Sequence, residues 1–154
     1  MHRIVAISIA FAALLLSVTL GADKPATPVV LDPEDLIWTQ RPEGVRVAVL
    51  QGDPQAEGPF TLRLQYPAGY EKGPHYHTGE AYVTVLEGSY FRAYGTTFDK
   101  TAGIPLKAGT FSVNPAKVSH YEWTTGPALI QVTAMGPWKT VYVDADGSPR
   151  SDSQ

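Results

Sequence analysis

Three histidines have the spacing of metal ligands. His75 and His77 are separated by one residue, and His120 follows the Asn114-Pro115-Ala116-Lys117 segment. Residues two apart on an extended strand point to the same side, so the first two histidines present their imidazoles side by side. A single buried histidine is commonly a packing or hydrogen-bonding residue, but three in two clusters favour a metal site. Imidazole suits several transition metals, so the predicted cofactor is a divalent ion: Fe, Zn, Mn, Ni or Cu.

The sequence around these histidines predicts short β-strands. Runs of β-branched and aromatic residues stop at turn signals such as Gly52-Asp53-Pro54, and no sustained helical period follows residue 22 except one turn around Pro33 to Leu36. A tight hairpin is expected at Glu87-Gly88. One all-β sandwich or barrel is expected. The predicted strands cover residues 46–50, 60–66, 81–86, 89–94, 110–113, 120–124, 128–135 and 138–143.

Composition excludes several classes of protein. Hydrophobic residues make up 44% of the 154-residue chain and charged residues 18%, which is too apolar for a disordered chain. The 14 glycines and 13 prolines argue against a helical bundle. With no cysteine, disulfides, thiolate nucleophiles and zinc-thiolate sites are excluded. A formal net charge of −3 gives no basic field for nucleic acid, so no nucleic-acid partner is expected.

The first 22 residues have the pattern of a signal peptide. Met1-His2-Arg3 is followed by an apolar run from Ile4 to Leu20 and by Ala22, a suitable cleavage residue. A retained membrane anchor is the alternative, because the run is close to the length that spans a bilayer. We expect residues 1–22 to be a cleaved signal, 23–37 a lead segment, 38–143 the barrel and 144–154 a polar tail. The mature protein would then be periplasmic or secreted, and membrane-associated only if the signal is retained.

The spacing of the histidines and nearby turn residues resembles the two motifs of the cupin family. The first motif would run from Gly69 through His75-Tyr76-His77 to Gly88, and the second from Gly109 through Pro115 to His120. The chain looks closest to small single-domain cupins with a Val-Thr-Val strand and a Gly-Pro-Trp near the end, here residues 83–85 and 136–138. The resemblance covers residues 38–143. It implies an antiparallel double-stranded β-helix, or jelly-roll barrel, with a divalent metal held by three histidines and a glutamate.

The chain departs from the cupin pattern at the glutamate. Ala81 occupies the position of that ligand, and Glu80 lies one residue early, on the opposite side of the strand. Glu80 would reach the metal only if the Thr78-Gly79 turn formed a bulge. Glu122 shares the parity of His120 and is the other candidate for a fourth ligand, although we expect a solvated or edge position for it. Water is the favoured occupant of the fourth position.

Three further residues are candidates for binding a small-molecule ligand. Tyr82 could position a substrate oxygen beside the metal, and Arg63 and Arg92 could anchor an anion if they face the cavity. The ordinary alternative is packing for a strand tyrosine and solvent exposure for a strand arginine.

The resemblance leaves the function open between classes. In the family, three-histidine sites are associated with dioxygen chemistry on thiols or diketones, which implies a metal-dependent oxygenase or related enzyme acting on a small organic molecule. The alternatives are a non-catalytic barrel that binds a metal or a small ligand with a partly degenerate site, and a structural barrel. A homodimer is expected, with Leu36-Ile37-Trp38 as a contact.

Overall fold

The computed structural model describes residues 28–150 of the 154-residue chain. The expected signal segment, residues 1–22, lies outside the described residues. Within residues 28–150, no helix has the length and hydropathy needed to cross a membrane. The described chain from Leu31 onward forms one compact unit.

Nearly all regular structure in the described residues is β-strand. Two short 3₁₀ helices occur, η1 (Pro33–Asp35), which begins with a proline, and η2 (Lys100–Ala102), whose first turn is capped by the side chain of Asp99. The nine strands are β1 (Thr39–Gln40), β2 (Arg46–Gln51), β3 (Gly58–Tyr66), β4 (Glu71–His77), β5 (Ala81–Tyr94), β6 (Ile104–Lys107), β7 (Phe111–Asn114), β8 (His120–Gly136) and β9 (Thr140–Tyr142).

All strand pairs are antiparallel, and strand β8 connects the others. Its first half pairs with β4, and its second half pairs with β3 over residues 58–66. Along both halves its other edge pairs with β5, which also pairs with β6 and β7. The order β1-β2-β3-β8-β4-β9 completes the curled sheet. The predicted all-β antiparallel barrel is confirmed.

The hairpin expected at Glu87-Gly88 is wrong. The chain continues through this point without a turn as the 14-residue strand β5. The register against β8 shifts on both sides of Glu87-Gly88. Gly88 has φ +70°, and a Cβ there would lie 2.2 Å from the carbonyl oxygen of Pro127. Glycine therefore forms a β-bulge here rather than a turn, which bends the long strand around the barrel. The partner strand opposite this bulge also continues without a turn, so the predicted strands 120–124 and 128–135 are both part of β8.

The core lies on the inner face of the curled sheet. The main apolar cluster includes Phe60 and Leu62 of β3, Val83 of β5, and Ile130 and Val132 of β8, all of which are buried. These residues alternate along their strands, as expected for one buried face. They leave room for polar residues at the first half of β8, where the candidate site lies.

Candidate metal centre

His75, His77 and His120 converge at one end of the barrel. Register places His75 of β4 directly opposite His120 of β8, and their ring centroids are 4.3 Å apart. His77 lies two residues along β4, with ring centroids 5.0 Å from His75 and 5.2 Å from His120. One ligand nitrogen from each ring lies within 4.8 Å of the others. The structure thus brings together the three histidines expected from their spacing.

Hydrogen bonds orient the imidazoles. The Nδ1 of His75 is 2.7 Å from the carbonyl oxygen of Gly73, and the Nδ1 of His120 is 3.0 Å from that of Val118. Because a carbonyl only accepts, each Nδ1 carries the proton and each Nε2 keeps its lone pair. The Nδ1 of His77 lies 3.2 Å from the hydroxyl of Thr140. Such outer partners commonly orient metal-binding histidines.

The residues present fit a metal ion. The Nε2 of His75 is buried and has no hydrogen-bond partner. A buried acceptor without a partner is unfavourable unless a ligand occupies it. Together with two further imidazoles, it forms the donor set that divalent transition metals accept.

The histidines are held neutral, the form that binds metal. Burial lowers the pKa of all three imidazoles below the ordinary histidine value. The charge of Lys72 lowers the pKa of His75 and His77 further. The cluster therefore gives up no proton from its imidazole rings when a metal binds at neutral pH.

Glu80, one candidate for a fourth ligand, lies away from the cluster. It is exposed, and its carboxylate accepts a hydrogen bond of 2.7 Å from the hydroxyl of Tyr82 on the outer face. The bulge that would turn Glu80 inward does not form, because the side chain of the next residue, Ala81, is the one that is buried. Ala81 cannot coordinate a metal.

Glu122, the other candidate, is buried, so the solvated or edge position expected for it is wrong. It is 5% exposed and lies on β8 between Lys72 of β4 and Arg92 of β5. Its Oε1 accepts a hydrogen bond of 2.9 Å from the hydroxyl of Tyr66, and its Oε2 is 3.5 Å from an Arg92 nitrogen. Burial alone would raise the pKa of Glu122, but the two cations lower it below the ordinary value. Glu122 is thus an anion held by its neighbours and lies outside the group of three ligand atoms.

Arg92 faces the interior, as proposed for an arginine that lines the cavity. It is 2% exposed and donates from Nη1 to the side-chain oxygen of Asn114 and from Nη2 to the hydroxyl of Tyr90. The amide of Asn114 lies 3.4 Å from the Nε2 of His120. Arg92 therefore links Glu122 to the histidine cluster through Asn114.

Tyr82 and Arg63 do not face the cavity. Tyr82 is 46% exposed and stacks on Phe111 outside the barrel. Arg63 lies on the side of β3 away from the cavity, where its Nε is 3.3 Å from the side-chain oxygen of Gln131. Strand alternation explains the outward position of both residues. The residues on either side of each one line the cavity: Leu62 and Leu64 beside Arg63, and Ala81 and Val83 beside Tyr82.

A cavity of about 820 Å³ opens beside His77. Leu62, Val83 and Ile130 supply its apolar wall. Its polar residues include four that the sequence analysis did not single out: Lys72, Tyr66, Asn114 and the indole of Trp138. The sequence signal that could have identified Lys72 as interior is the Gly73-Pro74 pair that follows it, because glycine and proline are both frequent at bulges.

Known proteins share this fold. A family model described as the ChrR cupin-like domain matches residues 26–139. An RmlC-like cupin of Ralstonia eutropha superimposes with a TM-score of 0.61 at 24% identity, covering 79% of this chain and 76% of its own. An acetylacetone dioxygenase of Acinetobacter johnsonii superimposes with a TM-score of 0.62 at 16% identity, covering 85% and 87%.

A third structure gives the same result. A protein of Methylibium petroleiphilum, provisionally described as an acetylacetone dioxygenase, has a TM-score of 0.64 at 19% identity and covers 84% of this chain and 90% of its own. The sequence matches no curated protein. The family model covers most of the chain. The chain belongs to the ChrR cupin-like family.

Proposed function

We propose that this protein is a metal-dependent enzyme that oxidises a small organic molecule with dioxygen. His75, His77 and His120 would hold a divalent transition metal. The observation that carries the proposal is the buried, unpartnered Nε2 of His75, which lies among ligand atoms that are all within 4.8 Å of one another.

The donor set suits catalysis. A bound ion would supply Lewis acidity and, if it is iron, one-electron chemistry. Three protein ligands leave further coordination positions open, and Ala81 offers no fourth one from the strand. Dioxygen chemistry is supported by the two structures of similar fold that are described as acetylacetone dioxygenases.

The cavity suits a small organic substrate. Its volume of about 820 Å³ lies within the range of roughly 300–1,000 Å³ common for small-molecule sites. The apolar side chains of Leu62, Val83 and Ile130 would exclude water, and Arg92 and Asn114 would orient polar groups near the histidines.

Metal content and oxygen consumption test the proposal. Protein purified without a histidine tag should hold close to one equivalent of metal, and His77→Ala should lose it. Arg63→Ala, which alters a residue outside the cavity, should keep it. With Fe²⁺ restored, oxygen uptake should be measured against a panel of small diketones, thiols and organic acids. No metal in the wild-type protein would overturn the proposal.

A non-catalytic barrel that binds a metal or small ligand is the second candidate. The alanine at position 81 favours it, because the carboxylate that the cupin pattern expects there is missing. This function would be indicated by stoichiometric metal, including iron, without oxygen uptake on any member of the panel.

Export and dimerisation are part of the same proposal. The signal-like residues 1–22 support a periplasmic or secreted protein, and a mature N-terminus at Asp23 in the protein recovered from fractionated cells would verify it. Ile37 is 87% exposed and supports a homodimer contact. A light-scattering mass equal to one chain at high micromolar concentration would contradict the dimer.

A further inference from the structure

A bulge in strand β4 turns Lys72 toward the cavity. In the strand register Lys72 lies opposite Glu122, and His75 lies opposite His120, so three steps on β4 oppose two on β8. Simple alternation would place Lys72 and His75 on opposite faces. The extra residue at Gly73-Pro74 restores them to one face, and Lys72 lines the cavity.

The ammonium group of Lys72 is available to a ligand. The side chain is partly buried, and it forms no hydrogen bond or ion pair with the residues the structure describes. Glu122, its partner in the register, accepts a hydrogen bond from Tyr66 and is paired with Arg92. Glu43 borders the adjoining groove of about 200 Å³ but does not pair with Lys72 either.

The neighbouring cation, Arg92, is engaged. Its two terminal nitrogens donate to Ser112, Asn114 and Tyr90 and face Glu122. Arg92 keeps one buried donor, its Nε, without a hydrogen-bond partner. Of these two interior cations, Lys72 is the one whose entire charged group has no hydrogen bond or ion pair with the described residues. An ammonium with free donors in a partly buried place binds an anion more strongly than one in water.

The charges around the cavity favour an anion. Five cations and one carboxylate line it within residues 28–150, although the whole chain carries a formal net charge of −3. Three of these cations are exposed, and one of them, Arg150, is paired with Asp144. Cations gathered in a cleft focus the field and attract anions. The lining charges are Arg41, Lys72, Arg92, Glu122, Lys139 and Arg150.

We infer that Lys72 binds the carboxylate group of a small organic anion that occupies the cavity beside the three histidines. The inference rests on the proposed function where it makes this anion the substrate of the metal centre. Binding of the carboxylate to Lys72 does not itself require the metal.

Calorimetric titration of the full chain at low salt tests the inference. The probes are acetate, succinate and benzoate, each compared with its neutral amide. At least one carboxylate should bind the wild-type protein more tightly than its amide does. Lys72→Met should weaken that binding about tenfold or more, because a charge-assisted hydrogen bond is lost. Lys72→Arg should retain it within about threefold.

Matched controls separate the possible failures. Lys107→Met removes an exposed lysine of β6, which does not line the cavity, and should bind like the wild type. Lys72→Gln replaces Lys72→Met if the methionine variant does not fold, as judged by near-ultraviolet circular dichroism. The inference is overturned if no carboxylate binds better than its amide, or if both lysine-removing variants bind like the wild type.

Metal-free and Zn²⁺-loaded protein should both be titrated. Loss of binding on removal of Lys72 in the metal-free protein supports the anion site even if the wild-type chain never holds a metal. Conversely, full metal occupancy with no effect of Lys72 would overturn the anion site and leave the metal proposal standing.

Discussion

The imidazole of His77 lies against the indole of Trp138, with ring centroids 3.9 Å apart and an interplanar angle of 20°. The indole also meets buried Phe60 edge to face at 5.7 Å, so it packs against the core. His75 and His120 are each oriented by a backbone carbonyl, whereas His77 has only the hydroxyl of Thr140 at its Nδ1. Stacking on Trp138 therefore sets the plane of the third imidazole.

Removing this indole should weaken metal binding. We expect Trp138→Leu to raise the dissociation constant for Zn²⁺ by about tenfold, because outer partners of metal ligands typically contribute 10–100-fold. Competition with a coloured chelator measures the change. Phe111→Leu is the control, since exposed Phe111 stacks on Tyr82 outside the barrel and does not line the cavity. Equal affinities in the two variants would contradict the role of Trp138.

Neutralising Glu122 should destabilise the protein strongly. Glu122→Gln leaves buried Arg92 without its carboxylate, and removing one partner of a buried pair typically costs about 3–5 kcal/mol. Glu71→Gln breaks the exposed pair with Lys100 and should cost less than about 1 kcal/mol. Urea unfolding of both variants gives the comparison. Similar losses in the two variants would show that Glu122 is not needed to balance the buried charge of Arg92.

The metal-free protein should lose stability in mild acid. The folded state lowers the pKa of His75, His77 and His120, so below the ordinary value of ~6.5 the unfolded chain takes up protons that the folded chain does not. The free energy of unfolding then falls as pH falls. It should be measured from about pH 7.5 to about pH 5.5, above the range in which Glu122 titrates. His77→Asn should reduce the slope, and a flat profile in the wild type would refute the prediction.

Two glycines with positive φ separate backbone strain from steric clash. Gly109 has φ +86° and no atom within 4 Å of the position that a Cβ would take, so Gly109→Ala should cost about 1 kcal/mol. At Gly88 the added methyl would meet the carbonyl oxygen of Pro127, so Gly88→Ala should cost about 3 kcal/mol or more. Thermal or urea unfolding measures both. Equal losses would argue against a tight approach of β5 and β8 at the bulge.

Strand alternation accounts for what the sequence could predict. The one-residue spacing of His75 and His77 required a shared face, and the same rule placed Ala81 inward and Glu80 outward. Turn residues marked the ends of most strands. These local signals were sufficient for the barrel and for the three histidines.

Contacts between distant strands account for what could not be predicted. In the first half of β8 both faces are buried, because Tyr121 and Trp123 pack under Phe98 while Glu122 faces the cavity. Burial on both sides removes the pattern that would have marked Glu122 as interior.

Two further features could not be predicted because they depend on β-bulges. Gly73-Pro74 reverses the face of Lys72, and Glu87-Gly88 has the same composition in a bulge as in a hairpin turn. In each case the register against the partner strand determines whether a bulge forms. That register is set by residues far along the chain.

The position of β8 also determines the order in which the protein can assemble during synthesis. β8 follows β3, β4 and β5 in the chain and hydrogen bonds to all three. Until residues 120–136 leave the ribosome, these earlier strands expose unpaired edges and the apolar side chains of the core. His75 and His77 are translated long before His120, so a nascent chain has two of the three imidazoles and no closed barrel around them. Loading of the complete three-histidine centre can therefore only follow or accompany the insertion of β8.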